Sequence, residues 1–247
     1  MSAAKKPETI KLYQLKAALR AITPLVWRRL LVTSDTTIAQ LHAVLQIAMG
    51  WEDLHLHQFR IHGRAYGIYR DGGISFANDP HAVILADFKL RTSERFVYEY
   101  DMGDFWQHDI RLEQVLPLDP RKRYPVCTDG DGDCPPEDCG GPWGYRELMA
   151  ARYSLLALLQ MQDDQALIAQ RLLDWYDGGA RPTYDDTEYM DALERMRDWL
   201  QDAPVAFNRH AVNTALRAQR KEPPCTSASI SSPSRTMARN TERRSPT

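Results

Sequence analysis

Cys134-Pro135-Pro136-Glu137-Asp138-Cys139-Gly140-Gly141-Pro142-Trp143-Gly144-Tyr145 divides the chain. Before it the apolar residues recur with the two-residue period of strands, and after it with the period of helices. Pro135 and Pro136 fix φ and bar helix, Gly140 and Gly141 permit positive φ, and Pro142 suits a first helical turn. The segment therefore reads as a rigid corner that carries two carboxylates, two thiols and an aromatic pair. It is either a structural joint between sheet and helices or a loop that holds Glu137 and Asp138 in a site.

Upstream of the corner, residues 105–116 alternate as a long strand, with Trp106, His108, Ile110 and Leu112 on the apolar face. His108 thus points into the core, an unusual place for an imidazole. A turn at Met102-Gly103-Asp104 joins it to a strand over 95–101 bearing Phe96, Tyr98 and Tyr100. Over 51–62, His55, His57, Phe59 and Ile61 share one strand face. Thr37 with Gln40 forms a capping-box pattern that starts a helix, and Gly50 ends it. His42 lies beside the apolar face of that helix and reads as packed or partly exposed. Residues 10–21 and 25–32 form an antiparallel pair turned by Thr23-Pro24. The stretches 65–81, 85–90 and 117–133 read as a loop or ragged hairpin, a connector and a loop.

Downstream, helical patterns cover 144–161, 164–177 and 187–201. Asp163/Asp164 and Asp185, the latter with Glu188, supply caps. A last short helix starts after Asn208 and ends near 221. The expectation is an α+β domain over 10–221, its sheet part about 10–133 and its helical part about 143–221. That sheet is mixed or antiparallel, has about five strands and carries one early helix. Residues 222–247, rich in Ser, Thr, Pro and Arg without apolar periodicity, are expected to be a disordered basic tail.

The net charge of −2 conceals an asymmetry. From Arg217 onward Arg217, Arg220, Lys221, Arg235, Arg239, Arg243 and Arg244 outnumber Glu222 and Glu242, so the rest of the chain is acidic. An acidic body does not support a broad nucleic-acid surface, although the basic tail could touch phosphates. No apolar run approaches the roughly 18 residues of a membrane span, and Met1 to Thr9 carry no secretory signal, so a cytoplasmic location is expected. Cys127, Cys134 and Cys139 match no common zinc spacing and are expected to be reduced structural thiols, with a metal role as the alternative.

Several stretches together resemble a known family. They are Ile22-Thr-Pro-Leu-Val-Trp-Arg-Arg29, Leu41-His42 running into Met49-Gly50-Trp51, His55-Leu-His-Gln-Phe59, Tyr98-Glu-Tyr-Asp-Met-Gly-Asp-Phe-Trp-Gln-His108 and the corner itself. In that order they resemble the plasmid pRiA4b ORF-3-like family, also labelled as passenger TnpR proteins of insertion elements. Ala203 to Leu216 looks like the family's closing helix, and the resemblance covers about 10–218. It implies an α+β domain found on plasmids, insertion elements and bacterial chromosomes, and it implies no particular reaction. The resolvase label fails on residues: before residue 75 the only serines are Ser2 and Ser34, with no supporting arginine cluster. The pairs His57/Arg60 and His108/Arg111 fit the His-x-x-Arg of tyrosine recombinases, but strand residues three apart face opposite sides.

No phosphate loop, dinucleotide fingerprint, zinc-protease helix or serine-hydrolase elbow is present. The candidate site residues are His57 and His108 on apolar strand faces, Asp101 and Asp104 at the tight turn, and Glu137 and Asp138 on the corner. Their types suit a divalent metal, although no cofactor is predicted. Two functions follow: a non-enzymatic binding or accessory module with a protein or small-ligand partner, or a metal-dependent hydrolase or nuclease built on His57, His108 and the carboxylates. The rigidity of the corner favours its folding back over the sheet toward His108.

Overall fold

The computed structural model describes residues 9–67, 76 and 78–219. The expected tail over 222–247 and the middle of the glycine-rich 65–81 stretch lie outside those residues. Strands β1 (Lys11–Leu19) and β2 (Trp27–Thr33) lead into helix α1 (Ile38–Met49). Then come β3 (His57–Ile61), β4 (Arg64–Tyr66), a 3-10 turn (Leu85–Phe88), β5 (Arg95–Tyr100), β6 (Trp106–Pro117) and β7 (Val126–Asp131). Four helices follow: α2 (Gly141–Arg152), α3 (Leu155–Tyr176), α4 (Thr187–Gln201) and α5 (Arg209–Gln219).

All the strands join one antiparallel sheet of order β4-β3-β5-β6-β1-β2-β7. Leu15, Leu30, Phe59, Phe96, Tyr98, Ile110 and Leu112 are buried in one core with Leu41, Val44, Leu45 and Met49 of α1. The opposite face is polar, as an antiparallel sheet permits. On it Arg29 pairs with Glu113 at 2.7 Å and with Asp129 at 2.9 Å, and Arg20 pairs with Asp109. The capping box of α1 is present, with Gln40 N donating to Thr37 Oγ1 at 3.1 Å, and Gly50 ends the helix at φ +90°.

The sheet has seven strands where about five were expected, and a 3-10 turn accompanies α1 in the early half; the described residues hold five α-helices, α1 to α5. The additional strands are β4, only three residues long, and β7, Val-Cys-Thr-Asp-Gly-Asp, whose polar composition carries no strand pattern. β7 is held by its partners instead. Asn213 of α5 reaches the Cys127 backbone with both ends of its amide, accepting from N at 2.9 Å and donating to O at 2.8 Å. That pair occupies part of an edge that would otherwise be open.

The helical boundaries differ in two places. Asp163 and Asp164 do not cap a helix, because α3 begins at Ser154, whose Oγ accepts from Ala157 N at 3.2 Å. Asp164 is instead buried in mid-helix, bound by Arg195 of α4 at 2.7 and 3.0 Å. The cap of α4 is Asp186, one residue beyond the expected Asp185.

The segment before α5 closes back on the sheet. Cys134 and Val205 exchange backbone hydrogen bonds at 2.9 and 2.7 Å. The buried Arg28 donates to the carbonyls of Ala48, Trp27, Asp131 and Gly132 and lies 4.2 Å under the Phe207 ring. A buried guanidinium is tolerable when its donors are satisfied in this way.

A candidate metal centre at the rim of the sheet

Three connections meet at one end of the sheet: the α1–β3 segment over 50–56, the β5–β6 turn over 101–105 and the corner. Each is locked to the next. Trp51 Nε1 donates to Pro135 O at 2.9 Å, and Glu52 N donates to the Glu137 carboxylate at 2.8 Å. Tyr100 OH donates a short hydrogen bond to the other oxygen of Glu137 and accepts from Leu54 N at 3.0 Å. Gly140 N donates to Asp104 Oδ2 at 3.1 Å. Gly141, at φ +68°, comes so close to the turn that a Cβ there would sit 2.3 Å from the Asp104 carbonyl oxygen. The corner does fold back over the sheet end.

Two groups of metal-capable ligand atoms lie on this rim, each group within 4.8 Å. The inner group is His42, Asp53 and His57, and the outer group is His55, Asp101 and Asp138. In the inner group His42 and His57 are both buried, and their rings stack 3.4 Å apart at an interplanar angle of 8°. His42 Nε2 faces Asp53 Oδ1 at 2.9 Å, while Nδ1 meets Tyr98 OH at 2.8 Å. That hydroxyl also accepts from Gln46 Nε2 at 2.8 Å. Burial holds the Tyr98 phenol well above its ordinary range, so it stays protonated.

In the outer group His55 Nε2 lies 3.0 Å from Asp138 Oδ1 and 3.7 Å from Asp101 Oδ2. Asp101 Oδ1 is occupied, accepting from Gly103 N at 2.8 Å and Asp104 N at 3.3 Å. The carboxylates of the two groups share a backbone feature. Asp53, Asp101 and Asp138 adopt φ of +59°, +58° and +59°. Left-handed backbone is uncommon outside glycine, though aspartate tolerates it better than most, and surviving strain concentrates at functional sites.

The structure separates the expected site residues. His57, Asp101 and Asp138 fall into the two groups. Asp104 and Glu137 lock the segments together. His108 is fully buried, in edge contact with Trp51 at 5.4 Å and tilted against Tyr98 at 5.2 Å. Trp51 stands between it and the corner. The Tyr98 and Trp106 carbonyls lie near its ring nitrogens but outside hydrogen-bond geometry. Desolvation lowers its pKa to about 4, so the ring is neutral. In the register Phe59 pairs with Tyr98, and Tyr98 with His108. Strand β5 therefore separates His57 from His108, and the two do not share a centre. Arg60 and Arg111 are exposed while His57 and His108 are buried, as opposite strand faces require.

No group of three ligand atoms among the described residues includes a cysteine. Cys127 Sγ donates to Asp129 O at 3.4 Å, Cys134 is buried beside Arg28, and burial pushes the Cys139 thiol up to about 12. All three are free thiols.

The likenesses to known proteins agree with this architecture. Residues 11–194 match the family described as plasmid pRiA4b ORF-3-like protein. The chain belongs to the plasmid pRiA4b ORF-3-like family. A relative in Sinorhizobium fredii (strain NBRC 101917 / NGR234), the uncharacterized protein y4hQ, is 38% identical over 143 residues, which is 56% of this chain and 71% of that one. The crystal structure of a protein of unknown function, MM3350 from Methanosarcina mazei Go1, superposes with a TM-score of 0.57 at 30% identity, covering 83% of this chain and 98% of that chain. No helix among the described residues is long and apolar enough to cross a membrane.

His42, Asp53, His55, Tyr98 and Tyr100 were not expected at a site. The alternation His55-x-His57 just after Asp53 was a usable signal. The role of His42 was not, because it depends on a tyrosine 56 residues away.

Proposed function

We propose that this pRiA4b ORF-3-like protein is a non-enzymatic binding or accessory module whose rim takes a cationic group from a protein or small-ligand partner. The observation that supports it is the outer group. The exposed Asp138 and the buried Asp101 flank His55, with Glu137 fixed alongside and exposed Leu54, Phe105 and Trp143 nearby in the chain segments that build the rim. Fixed carboxylates select cations, and apolar neighbours add contact area. The free thiols fit a reducing, cytoplasmic setting.

The test is calorimetric titration with a short oligoarginine peptide and with an oligoglutamate control. The basic peptide should bind and the acidic one should not. Asp138→Asn should weaken binding about tenfold, the loss of one charge-assisted contact. Equal binding of both peptides, or of wild type and variant, rejects this reading.

A metal-dependent hydrolase is the second reading, favoured by Glu137, a carboxylate fixed at the rim that could serve as a base. Metal-dependent turnover of a phosphodiester or ester, lost in Glu137→Gln while metal binding persists, would establish it in place of the first.

A further inference from the structure

We infer that His42, Asp53 and His57 form a divalent-metal site of the two-histidine, one-carboxylate kind. It uses none of the residues proposed for the cationic partner, so each proposal stands or fails alone.

The donor set is chemically suited. Two imidazoles and a carboxylate favour Zn²⁺, Fe²⁺ or Co²⁺ over Mg²⁺ or Ca²⁺, which prefer oxygen alone. The spacing is suited as well. Two ligands about 2.1 Å from one ion and roughly 90–110° apart are themselves about 3.0–3.4 Å apart. His42 Nε2 and Asp53 Oδ1 are 2.9 Å apart, close to that edge, and all three donor atoms fall within 4.8 Å.

Positioning strengthens the case. Metal-bound histidines generally bond a second group through the other ring nitrogen, which fixes the ring and its tautomer. His42 has that arrangement, with Nδ1 on Tyr98 OH and Tyr98 held in turn by Gln46. Gln46 also accepts from Asp53 N at 3.2 Å, so one glutamine steadies both the histidine's partner and the backbone of the carboxylate. His57 is set by the sheet, in register with Tyr100 of β5. The histidines are buried and Asp53 is 43% exposed, so an ion would be reached from the Asp53 side, where water or a ligand would complete its coordination.

The rings lie in nearly parallel planes 3.4 Å apart, so at least one must rotate out of the stack before both lone pairs meet one ion. Tyr98 acts here as a positioning residue, because its hydroxyl touches His42 and not the ion.

The experiment is titration of untagged, dialysed protein with Co²⁺, followed by its visible absorption bands. Wild type should take one Co²⁺ per chain. Asp53→Asn preserves the left-handed backbone and should weaken binding at least tenfold, and Tyr98→Phe should weaken it by about 10- to 100-fold with altered bands. Circular dichroism and the thermal midpoint establish that both variants fold. No Co²⁺ bound by wild type at millimolar concentration overturns the inference. Binding unchanged in folded Asp53→Asn also overturns it, and if Asp138→Asn then loses the ion, the metal belongs to the outer group.

Discussion

At the residue scale, His108 shows what burial does to a titratable group. Its pKa near 4 in the fold compares with about 6.5 in an unfolded chain, so between those values the unfolded state binds more protons. Stability is therefore fully present above about pH 6.5 and is lost as pH falls toward 4, by at most about 3 kcal/mol from this residue. His108→Leu, similar in volume and without a proton to gain, should flatten the stability profile across that window. It should also leave stability at pH 7 unchanged or higher, because the imidazole nitrogens lack well-aligned partners among the described residues. Urea unfolding from pH 4 to 8 checks both outcomes. A variant that stays as acid-sensitive as wild type would show that another group governs acid lability.

At the element scale, the corner docks through a close backbone approach. Gly141 combines a positive φ with a backbone oxygen that a Cβ would strike. Gly141→Ala should cost at least about 2 kcal/mol, more than the ordinary penalty for a misplaced alanine, because the backbone has no room to relax. Gly178, at φ +93° with open space around it, is the control. Gly178→Ala should cost only the conformational penalty of about 1 kcal/mol. Equal thermal midpoints for the two variants would mean that the corner does not dock as described. The thiols give a second check. Cys134 and Cys139 are held protonated by burial and should resist alkylation at pH 8 until the protein unfolds, whereas modification at the rate of a free thiol would mean that the corner opens.

Over the whole molecule, the parts legible in the sequence were those with local causes. The capping box at Thr37, the left-handed Gly50, the long strand through Trp106 and Leu112 and the bend at Gly140-Gly141 each announce themselves within a few residues. What stayed hidden was non-local. β7 is a strand because β2 and Asn213 hold it, and Asp164 is buried because Arg195 reaches it from another helix. The rim followed the same division. The carboxylates at the turn and corner were visible as rigid polar features. The pairing of His57 with His42, rather than with His108, depends on how α1 lies over the sheet, and no period in the sequence encodes that.

The rim gathers metal-capable ligands from α1, the segment after it and β3. Anomalous diffraction from crystals of the protein soaked in Zn²⁺ tests most directly whether they hold one ion. One strong peak bonded to His42, Asp53 and His57 is expected, with Tyr98 still against His42. A rim without a peak, or a zinc ion held only by Cys127, Cys134 or Cys139, would contradict it.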